Sequence, residues 1–215
     1  MPRIDLHTHS VASPDGNLTA RDYQAMLASG RLNYIAITDH NRIDFALRLQ
    51  AELGNLGTHI IVGEEITTQD GEIIGLYLRQ AVPAGLSAAE TARRIHQQGG
   101  LVYVPHPFET VRKGISLASL DAIADLVDII ETYNGRNLQN RAATAQTWAA
   151  AHHKPGAASS DAHGKRGWGK TATVLPKKPS HENLVKTLQT ASLDTHSTGL
   201  IGRLYPMLNR LRRHQ

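Results

Sequence analysis

Ser87-Ala-Ala-Glu90-Thr-Ala-Arg-Arg-Ile95-His-Gln-Gln-Gly99-Gly100-Leu101-Val102-Tyr103-Val104-Pro105-His106-Pro107 is the stretch on which the fold turns. Ser87 three residues ahead of Glu90 is a capping signature, and the helix it opens is closed by Gly99-Gly100. Leu101 to Val104 follows as a strand without a polar position, the pattern of a strand covered on both faces. It stops at Pro105-His106-Pro107, so a potential metal ligand stands at the C-terminal end of a buried strand.

The same unit recurs in both directions. Upstream, Arg3 to His7 reads as a strand, and Thr19 with Asp22 opens a helix that runs towards Gly30. Tyr34 to Thr38 is a second strand, followed by a helix from Ile43 to Leu53 whose Phe45, Leu49 and Leu53 share a face. Ile60 to Val62 is a third, after which Gln69-Asp70-Gly71 turns the chain into Ile73 to Leu78 as a hairpin excursion. Downstream come a helix at Leu117 to Ala124, a strand at Val127 to Ile130, a helix at Leu138 to Ala151, strands at Ala157 to Ser159 and Thr171 to Leu175, and a helix opened by Ser180. Alternation of this kind implies an α/β protein with a largely parallel sheet. Six or seven short, apolar strands suit closure into a barrel, and no dinucleotide-type glycine turn supports an open sheet.

At 215 residues the chain suits one domain, residues 1–198, with a basic amphipathic tail, residues 199–215. The net charge of +4 resides in that tail: without Arg203, Arg210, Arg212 and Arg213, the basic residues balance the 19 acidic ones. Leu200, Ile201, Leu204, Leu208 and Leu211 form one helical stripe there. Docking on the barrel is the expectation for it, with weak contact to an acidic membrane surface, or contact with nucleic acid, as alternatives. The chain has no cysteine, which excludes disulfides, thiolate metal sites and a cysteine nucleophile and suits a reducing compartment. With no run of 18 apolar residues and no basic-then-apolar leader, the expectation is a cytoplasmic protein.

Twelve histidines decide where the chemistry lies. His7 and His9, Asp39 and His40, Glu64 and Glu65, His106, Glu131, and Asp161 with His163 all fall at or just beyond the C-terminal ends of expected strands, which share one mouth in a parallel barrel. Any one of them alone reads as a solvated loop residue or a core histidine. Together, at six strand ends, they point to clustered metal ligation. His7 and His9, at i and i+2, face the same side of an extended segment and can grip one ion; Asp161 and His163 repeat that logic. His59, His96, His152, His153, His181, His196 and His214 match no pattern and read as structural.

Asp5-Leu6-His7-Thr8-His9-Ser10, Thr38-Asp39-His40, Gly63-Glu64-Glu65, Pro105-His106-Pro107 and Ser160-Asp161-Ala162-His163, in this order over residues 3 to 175, resemble the motifs of the PHP (polymerase and histidinol phosphatase) family. The resemblance implies a distorted (β/α)7 TIM-like barrel and a metal-dependent phosphoesterase with two or three divalent ions of manganese, iron or zinc. It implies His7, His9, Glu65 and Asp161 around a first ion, and Glu65, His106 and Glu131 around a second that shares Glu65. Asp15, His40 and His163 belong to a third. Glu65 rather than Glu64 fits the family spacing. Glu72, where many relatives carry histidine, is left outside the site.

Two ions sharing Glu65 would bind a water between them and lower its pKa towards neutrality, so no protein nucleophile is needed. Catalysis is expected to rest on Asp15, His40, Glu65 and His163. Arg136 is the expected bidentate phosphate ligand, and Arg112 and Lys113, after the Pro105-His106-Pro107 turn, would meet the far end of a small phosphorylated substrate. No obligate protein partner is evident. Three rivals remain: a nuclease or proofreading module on nucleic-acid ends, an amidohydrolase, and a barrel that only binds. Neutral charge outside the tail and few aromatic residues favour a small, nucleotide-like substrate over long nucleic acid.

Overall fold

The structure is a computed structural model that describes residues 1–137 and 141–213. Its strands are β1 (Arg3–Asp5), β2 (Tyr34–Ile37), β3 (Ile60–Thr67), β4 (Glu72–Leu76), β5 (Leu101–Val104), β6 (Ile129–Asn134), β7 (Gly156–Ser159), β8 (Ala172–Val174) and β9 (Ser192–Asp194). The helices are α1 (Ala20–Ala28), α2 (Asp44–Glu52), α3 (Ala88–Gln97), α4 (Leu117–Ala122), α5 (Ala142–Ala151), α6 (Leu184–Leu188) and α7 (Gly199–Arg213).

Strands lie in the order β7-β6-β5-β4-β3-β2-β1-β8-β9. Pairing is parallel throughout β1 to β3 and β5 to β7, with β4 inverted between β3 and β5. The wall closes where Thr8, past β1, bridges Ala162, past β7, and His9 N donates to the Ala162 carbonyl at 2.9 Å. The molecule is therefore a nearly closed, distorted seven-stranded barrel, with β8 and β9 added antiparallel beside β1.

Local signals explain the elements. Thr19 caps α1 in a complete capping box with Asp22, and Ser87 accepts from Glu90 N at the start of α3. Strand residues alternate between two cores. Ile35, Ile37, Val62, Val102, Val104 and Ile130 pack outward against helical Tyr23, Phe45, Leu49, Ile95 and Trp148. Ile4, Leu6, Ala36, Ile61, Ile74, Tyr103 and Ile129 fill the barrel, together with Leu184 and Leu188 of α6. Each such aliphatic side chain contributes roughly 1.5–3 kcal/mol by burial, which is why strands without a polar face are stable here.

Several boundaries depart from the sequence reading. β3 runs on to Thr67 because the inverted β4 pairs with it from Gly63↔Leu76 to Thr67↔Glu72. β6 likewise extends to Asn134, so Glu65 and Glu131 stand within strands rather than beyond them. β1 ends at Asp5, α6 begins at Leu184 rather than near Ser180, and β9 had no sequence signal. The expected helix at Leu138 to Ala151 is observed as α5, its first three positions lying outside the described residues.

The tail is a helix on the barrel, but its leucine stripe does not dock. Leu200, Ile201, Leu204 and Leu211 are exposed, while Gly202, Pro206 and Asn209 are buried. A Cβ on Gly202 would lie 2.6 Å from the Thr198 Cβ, so close backbone approach selects that face instead. Among the described residues, no helix is long and apolar enough to cross a membrane.

Candidate metal centre

Parallel strands deliver their C-terminal ends to one mouth, and the chain turns sharply there. His106 and Asp161 have φ of 26° and 52°, an uncommon conformation for residues with a side chain. The Pro14-Asp15-Gly16 turn folds against the first histidine segment, where a Cβ on Gly16 would come within 2.1 Å of the Ser10 carbonyl oxygen.

Four side-chain atoms converge at the centre. His7 Nε2 lies 3.1 Å from His9 Nε2, 3.4 Å from Glu65 Oε2 and 3.5 Å from Asp161 Oδ1; His9 Nε2 lies 3.2 and 3.5 Å from the same two oxygens. Ligands about 2.0–2.2 Å from a shared tetrahedral ion stand roughly 3.3–3.6 Å apart, so this set fits a divalent cation. Beside it, His106 Nε2 is 3.0 Å from Glu65 Oε1, leaving Glu65 with one oxygen towards each group. On the other side, Asp15 Oδ1 faces His40 Nε2 at 3.6 Å and His163 Nε2 at 3.5 Å without a hydrogen-bond donor, as a ligand atom would. His9 joins that third group, its ring 4.0 Å from His163 and 4.6 Å from His40.

The next layer orients these ligands. Glu131 Oε1 faces His7 Nδ1 at 3.2 Å, and a proton held there leaves Nε2 free for an ion. The same oxygen accepts from Tyr103 at 3.0 Å, while Glu131 Oε2 accepts from His106 N at 2.6 Å and Asn134 Nδ2 at 2.8 Å. With its acceptor positions filled in this way, Glu131 stands one layer deeper than the resemblance implied. His9 Nδ1 is 3.2 Å from Ser13 Oγ, and Asp39 holds Ser10 through N and Oγ at 2.7 and 2.6 Å. The structure thus brings eight of the nine expected ligands into ligand-like groups, with Glu131 behind them.

The electrostatics are those of a cation site. Burial opposes charge on every member, yet Arg136 and His7 hold Asp161 well below the carboxylate range, and His7 and His40 do the same for Glu65. Burial would push the imidazoles down too, but Asp161 and Glu65 raise His7 well above its ordinary value and His9 to about 9. His163 is the exception, lowered to about 3 by burial, His9 and Arg136, so it offers a neutral ring. Carboxylates that stay ionised when buried require nearby positive charge, and metal binding would release the imidazole protons.

The mouth opens into a cavity of about 670 Å³. Arg136 lines it, buried, with Nη1 3.0 Å from Asp161 Oδ1 and an Nε that has no partner. Arg112 also lines it, but its guanidinium is committed to Glu109, Asn134 and Asp161; Lys113 is exposed at the rim. Glu72, set aside on sequence grounds, is buried in the wall, 3.7 Å from His106 Nε2 and grouped with His40 and Glu65. Its signal was the chain reversal at Gly71, which carries the start of an antiparallel strand to the mouth. Arg210 was read only as a tail charge, yet its Nη2 donates to Asp15 Oδ2 at 2.7 Å. Of the remaining histidines, His59, His96 and His181 make structural contacts with Asn33, Asp128 and Gly99, and His152 stacks on Trp148; His214 lies outside the described residues.

The PHP domain model matches residues 5–165, the span that contains every ligand described above, and a PHP-associated model matches residues 139–193. The chain belongs to the PHP domain family. This PHP chain is 32% identical over 151 residues to the uncharacterized protein MJ1587 of Methanocaldococcus jannaschii, covering 66% of this chain and 88% of that one. Its fold is similar to a two-domain protein containing a predicted PHP-like metal-dependent phosphoesterase from Bacteroides vulgatus, at TM-score 0.74 and 20% identity over 97% of this chain and 69% of the other. It also resembles PsfC from Pseudomonas syringae PB-5123, at TM-score 0.69 and 17% identity over 100% of this chain and 99% of that protein.

Proposed function

We propose that this PHP domain is a phosphoric ester hydrolase acting on a small phosphomonoester or short phosphodiester, with two or three divalent ions of manganese, iron or zinc. The observation that carries the reading is the ligand-spaced set of His7, His9, Glu65 and Asp161, with His106 sharing Glu65 and a third group at Asp15, His40 and His163. Bound divalent ions would activate water and neutralise phosphoryl charge.

The chain's own residues supply the rest. Glu65 divides its oxygens between two groups and fixes their separation. Glu131 holds the His7 tautomer and, through His106 N, the His106 loop. Arg136 lines the cavity with an Nε that has no hydrogen-bond partner among the described residues, and it is the phosphate ligand of choice, because a guanidinium meets phosphate through paired N–H groups. Arg112 braces Asp161, and Lys113 at the rim is placed to meet the outer part of a substrate. Helix α7 over the mouth favours small substrates over long nucleic acid.

The test is a hydrolysis screen of nucleoside monophosphates, cyclic and bisphosphates, sugar phosphates, oligonucleotides and simple amides, with and without manganese. Metal-dependent release of phosphate or an alcohol from a small ester supports the reading. Turnover confined to amides or oligonucleotides, or no turnover with any metal, overturns it.

A further inference from the structure

Helix α7 lies outside both matched family regions, which end at residues 165 and 193, yet its residues Arg203, Pro206, Met207, Arg210 and Leu211 line the mouth cavity. Its seat is specific. Asn209 Nδ2 donates to the carbonyls of Asp15 at 2.7 Å and His163 at 3.0 Å, two residues of the candidate third group. Tyr205 lies over Gly164, where any side chain would collide with its ring. The helix is thereby registered to the metal centre itself.

What it presents to the cavity is unspent positive charge beside an apolar ledge. Among the described residues, Arg203 Nε is buried without a hydrogen-bond partner, and its Nη2 donates to Ser197 Oγ at 3.3 Å. Arg210 is 62% exposed and uses one donor, on Asp15. Because Asp15 is itself only 3% exposed, Nη2 stays on it, and the rest of this exposed guanidinium is open to a second oxyanion. Met207, Leu211 and Val111 are exposed large apolar side chains that line the same cavity.

Resting on the phosphoesterase reading, we infer that α7 is a substrate-selecting cap: Arg203 and Arg210 are specificity-determining residues that bind a second oxyanion, carboxylate or phosphate, on the leaving-group side of the ester. The apolar ledge takes the carbon framework between the two anionic ends. Arg136 serves the reacting phosphate below, so the two sets of guanidinium groups divide the substrate between them.

The experiment compares phenyl phosphate with the three carboxyphenyl phosphates on the metal-loaded full chain, and on Arg203→Gln, Arg210→Gln and the double variant. Wild type is expected to prefer the best carboxylated ester in kcat/KM. Each glutamine variant should lose roughly tenfold of that preference, mostly through KM, because a charge-assisted hydrogen bond is lost. Arg210→Lys should retain part of it, and melting temperatures near wild type would show the cap still folded. Wild type that cleaves these esters without preference, or a preference unchanged in the double variant, overturns the cap and leaves the hydrolase standing. No cleavage of any ester by wild type with any metal removes the phosphoesterase reading and the cap with it.

Discussion

Replacing Asp161 by alanine should cost far more stability than replacing His40, although both belong to the metal centre. Asp161 is buried and receives Arg136 Nη1 at 3.0 Å, Arg112 Nη1, and the rings of His7, His9 and His163 at 3.3–3.5 Å. Arg112 keeps its paired contact with Glu109 when Asp161 is lost, whereas Arg136 keeps no carboxylate within ion-pair distance among the described residues. Leaving one buried charge without its partner costs about 3–5 kcal/mol, a large fraction of the roughly 5–15 kcal/mol that stabilises a typical domain. His40 is 20% exposed and contacts Asp15 and Glu65, so its removal should cost about 1 kcal/mol or less. Urea unfolding of Asp161→Ala and His40→Ala in chelator at pH 7 measures the difference directly. Equal midpoints, within the equivalent of 0.5 kcal/mol as an order-of-magnitude resolution, would refute the claim that Asp161 is the hub of this network.

Manganese or zinc should raise the melting temperature of the wild-type chain in a concentration-dependent way, and a chelator should reverse it; no shift with any divalent ion would contradict a metal centre. Arg136→Lys should raise KM for a small phosphoester about tenfold or more while retaining metal, checked by steady-state kinetics with metal analysis. Glu64 is buried, with Oε2 accepting from Val82 N at 2.8 Å and Oε1 unpartnered, and burial pushes its pKa from 4.5 to about 7. Between those values the folded chain holds more protons than the unfolded one, so stability falls as pH rises. Glu64→Gln should therefore melt higher than wild type at pH 8 and lose that advantage at pH 4.5, an expectation that equal differences at both pH values would defeat. Inorganic phosphate should bind by calorimetry only after metal is loaded, and binding of equal strength in chelator would contradict the charge balance described below.

The barrel was legible because its expected strands are almost wholly apolar and two of its helices open on clear caps: Thr19 with Asp22, and Ser87 with Glu90, mark starts that the structure keeps within a residue. The convergence of the candidate ligands was legible for the same reason, since polar residues at the C-terminal ends of apolar strands are carried to one mouth. What escaped was long-range pairing. The Gln69-Asp70-Gly71 turn marks the hairpin, but not that its pairing extends β3 past Val62 and lifts Glu72 into the mouth. Nor does a helical stripe reveal which face docks. The periodicity of Leu200 to Leu211 points to the leucines, but the close approach at Gly202 and the paired carbonyl contacts of Asn209 decide otherwise.

That misreading bears on chemistry, because the docked helix completes the charge balance of the mouth. The inner layer holds the carboxylates of Asp15, Glu65, Glu109, Glu131 and Asp161 against the guanidinium groups of Arg112 and Arg136 and, before any ion binds, the protonated rings of His7 and His9. Those protonated rings occupy the place of cations, and an arriving divalent ion would displace their protons and take over the neutralisation of the carboxylates. Two divalent cations, as the proposed function has them, would more than cancel the charge by which these carboxylates exceed the guanidinium groups. The loaded mouth would carry net positive charge, and the arginines of α7 at its rim would add to that attractive field. Metal binding should therefore come before substrate binding, because the carboxylates would hold the ions and the ions would in turn attract the phosphate.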